Sequence, residues 1–247
     1  MSSHPPAACC YQGVKHDGKT TGSFSTLNGV EIYISYPANK SVDYAVLFLT
    51  DIIGYRFTNA QLLADQFAAN GYFVMMPDLF CGDPVPLNRP DGFNMQEWKK
   101  GHGPLAIDPI VDVCLAGLRN KYGCKKIGAV GYCFGAKYVV RHLHPDKGEI
   151  DVGYLAHPSF VTPDELKSIK GPLAISAAEN DHIFPAEKRH ESEDILKTLG
   201  IPYQINYYGG VEHGFAVRGS LNRRSVQFAK ESAFMQAVQW FKEHFGN

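Results

Sequence analysis

The sequence lacks the features that mark secreted, membrane-spanning and nucleic-acid-binding proteins. Its first residues, MSSHPPAACCYQG, contain neither a basic segment nor an apolar core, so we expect no secretory signal. No apolar run approaches the roughly 20 residues that a bilayer span requires. With 24 basic and 25 acidic residues, the formal net charge of −1 gives no basic surface for nucleic acid or an anionic membrane. These absences predict a cytoplasmic protein without a membrane or nucleic-acid partner.

Patterned cysteines and nucleotide-binding motifs are also missing. The six cysteines form no Cys-x-x-Cys pair, so we expect free thiols in a reducing compartment. For the adjacent Cys9 and Cys10, we favour ordinary arm thiols over a redox switch. The chain has neither a Gly-x-Gly-x-x-Gly fingerprint nor a Walker A sequence. His142 and His144 are close in sequence, but nothing else about them favours a metal site. We therefore predict neither a metal ion nor a cofactor.

The composition that remains, 45% hydrophobic and 20% charged, is that of a globular protein. A chain of 247 residues is short enough for one core, so we expect a polar arm over 1–24 and a single domain over 25–247. Apolar runs predict strands at 30–36, 44–50, 72–76, 127–130, 152–156, 173–177 and 203–208. Helical spacing and end signals predict helices at 58–70, 94–100, 109–122, 136–144, 186–199 and 224–244, and a capping box predicts a short helix after Thr162.

Strands and helices therefore alternate along the chain. This alternation predicts an α/β fold with a mostly parallel central sheet and helices on both faces. Ligands bind such sheets beyond the carboxyl ends of the strands, so reactive residues are sought directly after strands.

The segment at 126–135, KIGAVGYCFG, predicts a strand, a sharp turn and then a helix. Gly131-Tyr132-Cys133-Phe134-Gly135 matches the nucleophile elbow Gly-x-Ser-x-Gly with sulfur in place of oxygen. Small residues two positions before and after the nucleophile let strand and helix approach each other. The helix that follows favours a thiolate at Cys133 through its positive N-terminal end. The alternative is a buried cysteine in a glycine-rich turn.

Two further residues with suitable chemistry follow predicted strands. Asp181 comes after the strand at 173–177, and His213 comes after the strand at 203–208. The order nucleophile, acid, histidine is that of the α/β-hydrolase fold. An imidazole can take the proton of Cys133, and a carboxylate can fix the tautomer of that imidazole. Taken singly, Asp181 also suits a helix cap, and His213 also suits a surface turn.

Together these motifs resemble the dienelactone hydrolase family, particularly its eukaryotic, largely fungal branch. The resembling segments cover nearly the whole chain. They are LTDIIG at 49–54, MPDLF at 76–80, GYCFG at 131–135, the acid loop at 179–185 and HGF at 213–215.

The resemblance implies roles for several residues. Cys133 would be the nucleophile, His213 the base and Asp181 the orienting acid. The oxyanion hole would be formed by the backbone N–H groups of Ile52 and Phe134. The family places an acidic residue after its second strand, where it contacts the cysteine. Asp51 occupies that place, but bacterial members usually carry the longer Glu, so contact with the thiol and a turn-capping role both stay open.

Bacterial members of the family also hold a substrate carboxylate with arginines. Val217 stands where one of these arginines is expected, and Arg218 follows it; Arg89 lies in the proline-rich loop before Trp98. Either arginine would suit an anionic substrate or a solvated surface. Trp98 is expected in the roof of the pocket, and His157 either lines the pocket or only turns the chain.

The sequence thus predicts a cofactor-free hydrolase of an ester or enol-lactone bond that works through a thioester acyl-enzyme. Two alternatives remain: a lactone-forming or isomerising enzyme of secondary metabolism with the same triad, and a non-catalytic small-molecule binder or thiol sensor. The expected partner is a small-molecule ester or lactone. The sequence leaves monomer and homodimer equally open.

Overall fold

The computed structural model describes residues 2–89, 92–144 and 150–246. Its centre is a sheet of eight strands in the order β1-β2-β4-β3-β5-β6-β7-β8. The strands are β1 (Ser23–Leu27), β2 (Val30–Ser35), β3 (Tyr44–Leu49), β4 (Phe73–Pro77), β5 (Lys126–Tyr132), β6 (Val152–Ala156), β7 (Leu173–Asn180) and β8 (Tyr203–Glu212). β1 and β2 are antiparallel to their neighbours, and β3 to β8 are parallel. The predicted α/β fold with a mostly parallel sheet is confirmed.

The described part of the chain contains eight α-helices, six between strands and two after β8. They are α1 (Thr58–Ala69), α2 (Met95–Gly101), α3 (Pro104–Ala116), α4 (Gly135–His142), α5 (Pro163–Lys167), α6 (Ala186–Lys197), α7 (Phe215–Arg218) and α8 (Arg224–Phe245). A π-helical turn, Gly117–Lys121, extends α3, and a 3-10 turn spans Ala8–Cys10. β3, β4, β5 and β6 are buried along almost their whole length because helices cover both faces of the sheet.

One predicted helix start was wrong, and one strand was not predicted. The helix expected to begin after Asp108 begins at Pro104, and Pro109 lies inside it. Asp108 does not cap that helix; its carboxylate accepts a hydrogen bond from Arg141 Nε at 3.0 Å. Strand β1 was not predicted because its residues, apart from Leu27, are exposed and show no apolar alternation. The capping box at Thr162 and Glu165 is present as predicted.

The N-terminal arm follows the carboxyl edge of the sheet. Ser3 N donates to Val161 O at 3.0 Å, and His4 N donates to Ile183 O at 2.7 Å. Farther along the arm, Asn88 N donates to Tyr11 O at 2.8 Å. Ser2, Ser3, Pro6 and Cys10 are buried, although a polar arm was expected to lie on the surface. The arm therefore crosses the edge where the candidate residues of β5, β7 and β8 meet.

Candidate active site

Cys133 lies in the sharp turn between β5 and α4. Its φ is +49°, in the left-handed region that a residue with a side chain rarely adopts. A Cβ on Gly135 would come 2.2 Å from the Leu49 carbonyl oxygen, and a Cβ on Gly131 would come 2.6 Å from Ala136 Cα. Only glycine fits at these two positions, so the elbow brings β5, α4 and β3 close enough to hold the thiol at the sheet edge.

The three side chains of the predicted triad meet at this edge. His213 Nε2 lies 3.1 Å from Cys133 Sγ, and His213 Nδ1 lies 2.8 Å from Asp181 Oδ2. The second carboxylate oxygen of Asp181 accepts hydrogen bonds from Ile183 N at 2.8 Å and Phe184 N at 2.9 Å. Since β7 ends at Asn180 and β8 at Glu212, the acid and the histidine each follow their strand directly. The carboxylate is therefore fixed by the backbone, and in turn it orients the imidazole.

The charges of this triad favour an ion pair. Burial opposes ionisation of Cys133, but the Cys10 thiol and the His213 charge together lower the pKa of Cys133 well below its ordinary value. Burial also opposes protonation of His213, yet the Asp181 and Cys133 charges raise its pKa to about 10. Burial acts to raise the pKa of Asp181, and the His213 charge and hydrogen bond lower it overall. These shifts favour a thiolate beside an imidazolium, a pair suited to nucleophilic attack on an acyl group.

Asp51 does not hydrogen-bond to the thiol; it forms a buried ion pair with Arg218. Both side chains are about 1% exposed, and Arg218 Nη1 donates to Asp51 Oδ2. Asp51 Oδ1 accepts from Ile53 N at 3.0 Å. Burial raises the pKa of Asp51 even though the Arg218 charge acts to lower it. Asp51 thus combines the turn-capping role with a contact to Arg218.

The amides of Ile52 and Phe134 are free to act as donors. Among the described residues, neither amide donates a hydrogen bond to a backbone or side-chain acceptor. Phe134 follows Cys133 directly, and Ile52 follows β3, the strand that pairs with β5. Both amides therefore lie next to the ends of the two neighbouring strands, where the oxyanion hole is predicted.

His157 and Ser159 flank Cys133 from the turn after β6. Ser159 Oγ lies 3.5 Å from Cys133 Sγ. The His157 ring is buried, its centroid lies 5.0 Å from that of His213, and neither ring nitrogen has a hydrogen-bond partner among the described residues. Burial lowers the pKa of His157 to about 4, against a smaller opposing effect of the Cys133 sulfur. The ring is therefore neutral, with one donor and one acceptor unused.

Trp98 and Arg89 lie farther from the reacting groups. The Trp98 ring is 5.8 Å from Phe134, stacks on His102, and donates from Nε1 to Asp83 O at 2.8 Å. Trp98 therefore belongs to the aromatic wall behind the elbow. The Arg89 guanidinium lies 4.0 Å from the Tyr11 ring centroid and donates to Phe93 O. Its described contacts are with the arm and its own loop rather than with the triad.

The position of the N-terminal arm in this site was not predicted. Cys10 Sγ lies 3.4 Å from His213 Nε2, so the thiol treated above as ordinary is in the centre of the site. Arg218 holds the arm there, because its Nε donates to Gln12 O at 2.9 Å and its Nη2 to Cys9 O at 3.3 Å. Cys133 has no exposed surface, and His213 is 7% exposed. No local pattern in Ala8–Cys10 could have revealed this contact, which joins residues about 200 positions apart.

A cavity of about 520 Å³ opens beside the triad. It is lined by residues of the arm and of the segments around β8, including Cys9, His182, His213, Arg218 and Arg223. The His213 face of the triad therefore borders a polar, partly basic space.

No helix in the described ranges is long and apolar enough to cross a membrane.

Comparison with known proteins agrees with this architecture. The dienelactone hydrolase family model matches residues 30–245. Hydrolase tropI of Talaromyces stipitatus is 60% identical over 99% of this chain and 98% of its own. Dienlactone hydrolase 1 of Gibberella moniliformis is 33% identical over 96% of this chain and 93% of its own. The crystal structure of a putative dienelactone hydrolase from Klebsiella pneumoniae superposes with a TM-score of 0.74 at 14% identity, covering 91% of this chain and 99% of that one.

The family model and the full-length fungal relatives confirm the resemblance drawn from the sequence motifs. The chain belongs to the dienelactone hydrolase family, and it is a hydrolase that acts on carboxylic ester or lactone bonds.

Proposed function

We propose that the protein hydrolyses an ester or enol-lactone through a thioester formed on Cys133, without a cofactor. The supporting observation is the unbroken chain of contacts from the Asp181 carboxylate through the His213 imidazole to the Cys133 sulfur, at 2.8 and 3.1 Å. Each atom in this chain faces the partner that its role requires.

The reaction begins when the Cys133 thiolate attacks the carbonyl carbon and the carbonyl oxygen becomes an oxyanion. The unpaired amides of Ile52 and Phe134 stabilise that oxyanion. When the tetrahedral intermediate collapses, the carbon–oxygen bond of the ester breaks and the leaving oxygen takes a proton from the His213 imidazolium. Neutral His213 then removes a proton from water, and the resulting hydroxide attacks the thioester and releases Cys133.

A thiolate favours substrates with good leaving groups. The tetrahedral intermediate expels whichever of its two substituents leaves more readily, and a low-pKa thiolate is itself a good leaving group. An enolate competes well with it, whereas an amide nitrogen does not. An enol-lactone or an activated ester is therefore a better substrate than an amide.

Two buried groups next to the triad are suited to recognise polar substituents. The neutral His157 ring offers an unused donor and acceptor, and Arg218 borders the cavity beside His213. Because Asp51 already neutralises Arg218, a substrate carboxylate would have to compete for that guanidinium. We assign Trp98 and Arg89 to shaping the wall and holding the arm, respectively, rather than to substrate contact.

The test uses a small panel of aryl esters and enol-lactones with three proteins. Cys133→Ala should lose turnover, while Cys81→Ser, which changes an exposed cysteine, should keep it. Mass spectrometry of the native protein stopped during turnover should find an acyl group on Cys133. Turnover in heavy-oxygen water should place one labelled oxygen in the acid product, whereas a lactone-forming or isomerising reaction incorporates none. Full activity in Cys133→Ala would overturn the proposal.

A further inference from the structure

The arm brings a second sulfur to the catalytic pair. Cys10 Sγ and Cys133 Sγ lie 3.4 and 3.1 Å from the same atom, His213 Nε2, and the three atoms all lie within 4.8 Å of one another. All three residues are buried. The triad needs only one thiol at this place. Cys10 helps to lower the pKa of Cys133, but it forms and breaks no bond with the substrate in the proposed reaction.

Two thiolates and one imidazole are a donor set typical of zinc sites. With Zn–S bonds of about 2.3 Å and Zn–N bonds of about 2.0 Å, tetrahedral geometry sets the S···N separations at ~3.5 Å and S···S at ~3.8 Å. The observed S···N separations are shorter than this by up to a few tenths of an ångström. The S···N separations are therefore close to those of a zinc site, and the two sulfurs lie within 4.8 Å of each other.

The surroundings of His213 match those of a ligating histidine. Metal-bound histidines commonly donate their second ring N–H to a carboxylate, which fixes the tautomer and raises the basicity of the ligand nitrogen. Asp181 accepts from His213 Nδ1 in this way at 2.8 Å and leaves Nε2 facing the two sulfurs. His157, buried with both ring nitrogens unpartnered and its ring centroid 5.0 Å from that of His213, is a candidate donor for a fourth position.

We propose that Cys10, Cys133 and His213 bind one zinc ion, which masks the nucleophile and clamps the N-terminal arm over the active site. Binding converts the imidazolium and the Cys10 thiol to neutral imidazole and thiolate, so two protons leave as the metal enters. The zinc-loaded form is inactive, because both the nucleophile and the base are metal ligands. The inhibition rests on the proposed hydrolase function, whereas the binding does not.

Binding is tested directly on the full chain under a thiol reductant, with cobalt(II) as the spectroscopic probe and zinc in competition with a coloured chelator. Native protein should bind one metal per chain, and cobalt should give the thiolate charge-transfer absorption expected for two sulfurs. Cys10→Ala should lose about half of that absorption and bind zinc at least about 100-fold more weakly. Cys9→Ala, which removes the neighbouring, partly exposed thiol, is the matched control and should bind like the native protein.

Esterase activity is measured in parallel with the same proteins. Stoichiometric zinc should abolish the activity of native protein and of Cys9→Ala, and a chelator should restore it. Cys10→Ala should need at least about 100-fold more free zinc to lose half of the rate that it shows without metal. Equal zinc affinities of native protein and Cys10→Ala would overturn the proposal, as would absence of metal binding. If the enzyme is active and zinc does not inhibit it, the zinc proposal is refuted and the hydrolase function stands. If the protein binds the metal but has no esterase activity, the metal site stands and the hydrolase function is refuted.

Discussion

Breaking the buried pair between Asp51 and Arg218 should destabilise the protein strongly. Removing one partner of a buried ion pair leaves an uncompensated charge and typically costs about 3–5 kcal/mol. Asp51→Asn keeps the acceptor oxygen for Ile53 N–H and removes only the charge. Arg218→Met keeps much of the packing volume but also removes the donors to Gln12 O and Cys9 O. We therefore expect about 3 kcal/mol for Asp51→Asn and about 5 kcal/mol for Arg218→Met.

The double variant should cost much less than the sum of the single variants. When both side chains are neutral, no uncompensated charge remains at this site, where both residues are about 1% exposed. We expect a coupling free energy of about 2–3 kcal/mol, measured by urea unfolding followed by far-ultraviolet circular dichroism, with m-values compared to check the unfolded state. Additive costs would refute the view that the two charges depend on each other.

The single variants should also differ in their response to pH. Without Arg218, the pKa of Asp51 rises further above its ordinary value of 3.8, because the largest influence that opposes burial is then lost. A carboxyl with a raised folded-state pKa contributes stability below pH 3.8, and that contribution is lost as pH rises through the folded-state pKa. Arg218→Met should therefore lose stability relative to the native protein as pH rises above 3.8, and the double variant should not.

Three further outcomes are expected. The difference in thiolate absorbance between native protein and Cys133→Ser should titrate well below the ordinary thiol pKa of 9.0. His213→Gln should move the midpoint of this titration upward, and an unchanged midpoint would contradict the ion pair. Asp181→Asn should reduce kcat roughly 10⁴-fold while the folded structure persists, and a tenfold loss or less would contradict the orienting role. Gly135→Ala should destabilise the fold by about 3 kcal/mol or more, because its Cβ would meet the Leu49 carbonyl, whereas Gly101→Ala, with open space around its Cβ, should change unfolding by about 0.5 kcal/mol at most.

The sequence predicted the sheet well because its central strands are covered on both faces. Such strands appear as continuous apolar runs, and their ends are marked by polar or glycine-rich loops. The positions of Cys133, Asp181 and His213 followed from the same pattern, since each comes directly after a strand in a parallel sheet. Local periodicity and the general rule for strand ends were enough to bring these residues to one edge.

The remaining features depend on contacts between distant segments. Strand β1 forms because β2 offers it an edge, although its own residues are mostly exposed. The partner of Asp51 lies 167 positions away, and the partner of Cys10 lies 203 positions away. Neither pairing leaves a periodic trace in the sequence. A polar arm in particular has no apolar face to reveal where it packs, so the sequence alone could not place Cys10 in the site.

Because Cys133 is buried, the reaction rate of its thiol measures how often the structure around it opens. Cys133 has no exposed surface, so we expect an alkylating reagent to reach it only after the segments that cover it, the arm among them, have moved. The ratio of its labelling rate to that of an unhindered thiolate then gives the opening equilibrium, as amide exchange does for local unfolding, with each tenfold of protection equal to about 1.4 kcal/mol. Reagent size should matter as well, since a small electrophile needs a smaller opening than a bulky one.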